Sequence, residues 1–131
     1  MRVRLIALAT AIAIATLACS GGDDAESGEP ATSPGGPQIG DASAGQSLFS
    51  ATCVACHGTD ATGISGLGKT LVGSKFANGL SDIDLVAFLE VGRSRSDPAN
   101  TTGVDMPPEG GNPSLDGGDL FDIVAYIRSL N

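Results

Sequence analysis

Cys53-Val54-Ala55-Cys56-His57 is the stretch on which the reading of this chain turns. Two cysteines at this spacing, followed at once by a histidine, fit one chemical object. Each thiol can form a thioether bond to one of the two vinyl groups of a single haem, and the histidine is then held over the ring plane to bind the iron. Three other readings use less of the motif. A thioredoxin-like dithiol would use the two cysteines but belongs in a βαβ context, which the flanking sequence does not supply. A structural zinc site needs four ligands, whereas the chain beyond residue 40 holds two cysteines and a single histidine. A plain disulfide leaves His57 without a use. One covalent haem c, with Cys53 and Cys56 as attachment points and His57 as an iron ligand, is the expectation.

The residue inventory then narrows the ligand on the other side of the iron. His57 is the only histidine in the chain, so a bis-histidine pair is excluded. With Met1 in an N-terminal leader, Met106 is the one remaining methionine. It stands in Gly103-Val104-Asp105-Met106-Pro107-Pro108, where two prolines stiffen the backbone beside the thioether. A lone methionine is more often a packing residue than a ligand. Its place, well after the cysteine motif and ahead of the last helical pattern, makes Met106 the first choice for the second axial ligand. Lys69 and Lys75 are weaker alternatives. A His/Met pair raises a haem's potential and leaves the iron no open position.

Outward from the motif the pattern is helical in three places. Asp41 or Ser43 can cap a helix carrying Ala44, Leu48, Phe49 and Ala51 up to the motif. Ser81, with Asp84 three residues on, opens a helix through Ile83, Leu85, Val86, Phe88 and Leu89 that stops at Gly92. Asp116 with Asp119 opens the last, in which Leu120, Ile123, Val124, Ile127 and Leu130 form one apolar stripe. Residues 58–73 and 92–113 are irregular and rich in Gly, Pro, Asn and Thr, and long loops of this kind usually enclose a ligand. No stretch alternates as a strand does, so the expected fold is all-α. With 19 glycines, no Trp and 4% aromatic residues, the chain is short of side-chain bulk for a core, and a bound group could supply it.

The N-terminal segment is of another kind. Arg2 and Arg4 precede an apolar run from Leu5 to Ala18 that is too short for a comfortable membrane span. It ends in Ala15-Thr16-Leu17-Ala18-Cys19, which resembles a bacterial lipoprotein signal with Cys19 as the acylated residue. Residues 1–18 are therefore expected to be a signal peptide, although a plain secretory signal would leave Cys19 incidental. Either reading places the remainder outside the cytoplasm, periplasmic or on the outer cell surface. Residues 19–40 are rich in Gly, Pro, Ser and acids and read as a flexible tether, whose ends as a random coil would lie roughly 25 Å apart. The domain proper is 41–131.

The formal charge of the whole chain is −8. From Asp41 onward there are 11 acidic residues against 5 basic ones. That balance argues against nucleic acid, whose phosphates need clustered Lys and Arg. It favours redox partners that present a basic docking patch, although the charge could equally serve solubility alone. Arg93 and Arg95 either pair with a haem propionate or are solvated surface charges. Asn100 and Thr101 could donate near the propionates or the Met106 sulfur.

Taken together, these residues resemble class I monohaem cytochromes c, over roughly residues 41–131. In that family a helix with Gly-x-x-x-aromatic precedes the haem motif, matched here by Gly45 and Phe49, and a C-terminal helix crosses it closely with an aromatic, matched by Tyr126. The family often carries Gly-Pro-x-Leu after the motif, the proline carbonyl accepting the histidine Nδ1–H. Here the segment is Gly68-Lys69-Thr70-Leu71, and a lysine carbonyl can accept the same bond. With both axial positions filled by His57 and Met106, the expectation is a non-enzymatic electron carrier, a monomer or a complex subunit, tethered to a membrane by lipid at Cys19. Two alternatives stay open: a fixed subunit of a larger respiratory complex, and a haem peroxidase or sensor in which Met106 dissociates.

Overall fold

The computed structural model describes residues 39–131. The signal peptide expected over 1–18, the lipid-attachment residue Cys19 and nearly all of the tether lie outside the described residues. The rest is built from α1 (Ala42–Thr52), α2 (Val54–His57), α3 (Lys75–Gly79), α4 (Asp82–Val91) and α5 (Gly117–Ser129), with a short 3-10 turn at Pro108–Gly111. Among the described residues there is no strand, only isolated bridges at Ile64–Gly68 and Arg93–Met106.

Each long helix begins where a short polar side chain can accept the free N–H groups of a first turn. For α1 that residue is Asp41, whose Oδ1 accepts from the Ser43 and Ala44 backbone at 2.8 and 3.3 Å. Ser81 Oγ accepts from Asp84 N at the start of α4. Asp116 and Asp119 form a reciprocal capping box at the start of α5, with bonds of 3.0 and 3.1 Å. Gly92, at φ 68° and ψ −156°, ends α4 in a positive-φ conformation that is essentially open only to glycine.

The main helix pair is α1 against α5. Gly45 is what lets them meet: a Cβ there would overlap the Asp122 carbonyl and sit 3.0 Å from Ile123 N. One turn later Phe49, only 1% exposed, fills the space beside the contact. Its ring centroid lies 5.2 Å from that of Tyr126, tilted by 53°. Asp41 N donates to Asp122 Oδ1 at 2.7 Å and pins the start of α1 to the same helix.

Leu120, Ile123, Val124 and Ile127 of α5 are buried, as the stripe predicts, together with Ala125. Leu130 is the C-cap and only half-buried, because the helix has ended before it can turn inward. In α4, Leu85, Val86 and Leu89 face the core, whereas Ile83 is 65% exposed and points outward. The helix α3 was not expected from periodicity. It is five residues long, capped by Ser74 through Ala77 N. Arg128 holds it from α5, its guanidinium donating to the Ala77 and Leu80 carbonyls and to Asp82 Oδ1 at 2.6, 2.8 and 2.9 Å. A cation on the last carbonyls of a helix is favourably placed.

Candidate cofactor cavity

The core of this fold surrounds a hole. Nine buried residues, from Ala77 to Ile127, form the hydrophobic cluster. All but Val86 and Val124 also line a cavity of about 580 Å³. Packed protein interiors hold few voids larger than a water molecule, so a lined space of this volume is shaped for a ligand.

Cys53, Cys56 and His57 form one part of its wall. Cys53 N donates to Phe49 O at 2.8 Å, so the chain runs on from α1 into α2, and His57 N closes the next turn on Cys53 O at 3.0 Å. The His57 ring is then fixed by its own hydrogen bond, Nδ1 to Lys69 O at 2.7 Å. A carbonyl only accepts, so Nδ1 carries the proton and the Nε2 lone pair is left for a metal. The Lys69 carbonyl comes within reach because Gly68 lies directly against the Cys56 backbone, where a Cβ would overlap the Cys56 carbonyl.

The two cysteines are half-buried and are not joined to each other in a disulfide. Burial, with a smaller effect of the nearby Cys56 charge, pushes the Cys53 thiol up to about 11. A redox-active dithiol needs a thiol pKa that is lowered, so this environment argues against thioredoxin-like exchange. Among the described residues no three His, Cys, Asp or Glu side chains converge as a metal-binding group.

Met106 forms another part of the wall, half-buried and packed against the core. Its backbone is paired with Arg93 in both directions at 2.8 Å. Pro107, Pro108 and a tight turn through Glu109 and Gly110, at φ 53° and 65°, carry the chain away from it. On the other side Arg95 grips Asp105. The Arg95 N–H donates to Oδ1 at 2.6 Å, and Nε and Nη2 donate to Oδ2 at 2.9 and 2.6 Å. Those hydrogen bonds hold the Asp105 carboxyl below its usual range and raise the Arg95 guanidinium above its own. Both side chains are exposed.

The structure thus separates two arginines that the sequence leaves equivalent. Arg95 is a surface partner of Asp105, outside the cavity lining. Arg93 lies in the cavity wall beside Phe76 and Phe88. Asn100 lines the cavity as well. Its amide donates to the Ser94 and Val104 carbonyls, and its oxygen accepts from Thr102 and Gly103, so it knits its own loop rather than donating to the Met106 sulfur. Thr101 lines the cavity, as do the exposed residues Lys69 and Lys75. Phe76 was not foreseen as a site residue, and its only sequence signal is the Ser74 cap of α3.

A protein-family model described as Cytochrome c matches residues 42–131. Comparison with curated proteins and with solved structures finds no match.

Proposed function

The chain belongs to the cytochrome c family, and on that premise we propose that it is a one-electron carrier in which His57 and Met106 are the two axial ligands of the iron. The family carries a covalently bound c-type haem, and the residues here fit one. Cys53 and Cys56 stand at the wall of an apolar cavity of about 580 Å³ with His57 beside them. Bound there, the haem supplies one reversible electron. The observation that carries the ligand reading is the His57 ring itself, held by the Lys69 carbonyl with Nε2 free, in a cavity whose lining contains the only methionine after Met1.

The chain's own residues then do three things. His57 is oriented by the Lys69 carbonyl, which fixes its tautomer and would strengthen it as a ligand. Met106 is carried on a backbone paired with Arg93 and flanked by the Arg95–Asp105 pair, which would hold its sulfur in place. The apolar wall limits water and lowers the local dielectric, which with a thioether ligand favours the reduced state.

If both axial positions are filled, the reduced protein should bind carbon monoxide poorly at neutral pH. Rapid, tight binding seen in a simple titration would instead favour the peroxidase or sensor reading. The Arg95–Asp105 clamp has its own signature. In Asp105→Asn the long-wavelength sulfur-to-iron charge-transfer band of the oxidised protein should fade at a lower temperature than in the wild type. Global stability should change little, since the pair is exposed. Equal melting of the band in both proteins would show that the clamp does not hold Met106.

The same reading places the domain outside the cytoplasm, lipid-anchored through Cys19, exchanging electrons with membrane-associated partners. It rests on Arg2, Arg4, the apolar run to Ala18 and the tether that follows. The excess of acids over bases supports partners with basic docking patches. Expressed in a bacterial host, the full chain should partition into detergent, and Cys19→Ala should release it to the aqueous fraction. Aqueous partition of both would sink the anchor.

A further inference from the structure

Arg93 is built into the cavity wall with a hydrogen-bonding atom left over. Its guanidinium carbon lies 4.6 Å from the Phe76 ring centroid and 4.9 Å from that of Phe88. Those two rings meet edge-on at 4.9 Å, so the cation is seated on a fixed aromatic pair. Its backbone is equally fixed by the pairing with Met106. The side chain is 22% exposed, and Asp97 Oδ2 comes within 3.5 Å of Nε. That distance compensates charge, but no hydrogen bond forms, and Nε is buried without a partner. A buried donor left unpaired is unfavourable, and a charged one more so.

No other charged residue of the lining offers the same thing. Lys69 and Lys75 are exposed, Asp105 is taken by Arg95, and Glu109 has the wrong sign. We propose that Arg93 is a carboxylate site in the cavity wall, that it takes a propionate of the haem, and that its charge raises the reduction potential of the iron. The proposal rests on the cavity being the haem site. A planar guanidinium is suited to a carboxylate, and the aromatic pair holds it at the cavity wall. The oxidised haem carries one more positive charge than the reduced one. A fixed cation in a low-dielectric wall disfavours that charge, and pairing with a propionate removes a negative charge that would stabilise it.

The test compares holoproteins of the wild type, Arg93→Lys and Arg93→Gln. Absorbance and intact mass first establish that haem is attached. Arg93→Gln should then lower the potential by up to a tenfold change in the oxidation equilibrium, ~59 mV for one electron. Arg93→Lys should keep most of the wild-type value. Both variants lose the planar stack on Phe76 and Phe88, so a purely structural role would move them alike. Equal potentials for the two variants, or a wild-type potential in Arg93→Gln, would overturn the proposal. A crystal structure of the wild-type holoprotein gives an answer that needs no variant: a propionate oxygen within hydrogen-bond distance of the Arg93 guanidinium supports the site, and both propionates turned away from it refute it. Wild-type protein without attached haem would overturn the cofactor reading itself.

Discussion

Met106→Ala should abolish the charge-transfer band, lower the reduction potential, and let the reduced protein bind carbon monoxide readily. The expectation follows from how little else can replace the sulfur. No second histidine exists, and beyond Met1 there is no second methionine. Lys69 and Lys75 are exposed, and Lys69 already gives its backbone carbonyl to His57. Because Met106 also packs against the core, truncation has a packing cost of about 2 kcal/mol, at the low end for a residue only half-buried. Met106→Leu separates the two roles. It conserves volume and should cost less than about 1.5 kcal/mol, yet it should lose the band and gain carbon monoxide binding as fully as alanine does. If the leucine variant keeps the band, the sulfur of Met106 is not a ligand.

The largest effect on stability is expected at Gly45. An added Cβ would overlap the carbonyl of Asp122, and the obstacle is helix backbone rather than the end of a flexible side chain. The helices α1 and α5 would have to separate, disturbing the Phe49–Tyr126 contact and the bond from Asp41 to Asp122. Gly45→Ala should therefore destabilise the holoprotein by about 3 kcal/mol or more, at the upper end for overpacking. For a domain of this size that corresponds to a fall in Tm of at least about 12 °C. Gln46→Ala, one residue on and exposed, is the control and should change stability by less than about 0.5 kcal/mol. A Gly45→Ala variant as stable as that control would mean the close crossing is not what holds the fold.

The sequence was most legible where a local rule and the global fold agree. Asp41, Ser81 and Asp116 cap the three long helices because each supplies an oxygen to N–H groups two or three residues on, a requirement that involves no tertiary contact. The motif and the residue inventory single out Cys53, Cys56, His57 and Met106 because chemistry restricts which residue types can hold a haem, and the structure brings all four to the lining of one cavity. What could not be read depends on long-range placement. The helix α3 is one turn and is held by Arg128, about fifty residues away. Arg93 and Arg95 occupy one short loop and look alike in sequence. Only the Arg93–Met106 backbone pairing and the position of Asp105 send one inward and the other to the surface. The five hydrogen bonds of Asn100, all within its own loop, depend on that loop's conformation and have no local signal. Ile83 obeys helical spacing but falls on the outer face of α4, a helix whose apolar residues do not keep to one side.

One haem in this cavity, with its iron closed by His57 and Met106, would have a distinct spectroscopic signature. The most direct measurement is the absorption spectrum of the purified, oxidised wild-type holoprotein at neutral pH. The expected result is the weak long-wavelength sulfur-to-iron charge-transfer band of a His/Met pair. A covalently bound haem whose oxidised spectrum lacks that band would contradict it.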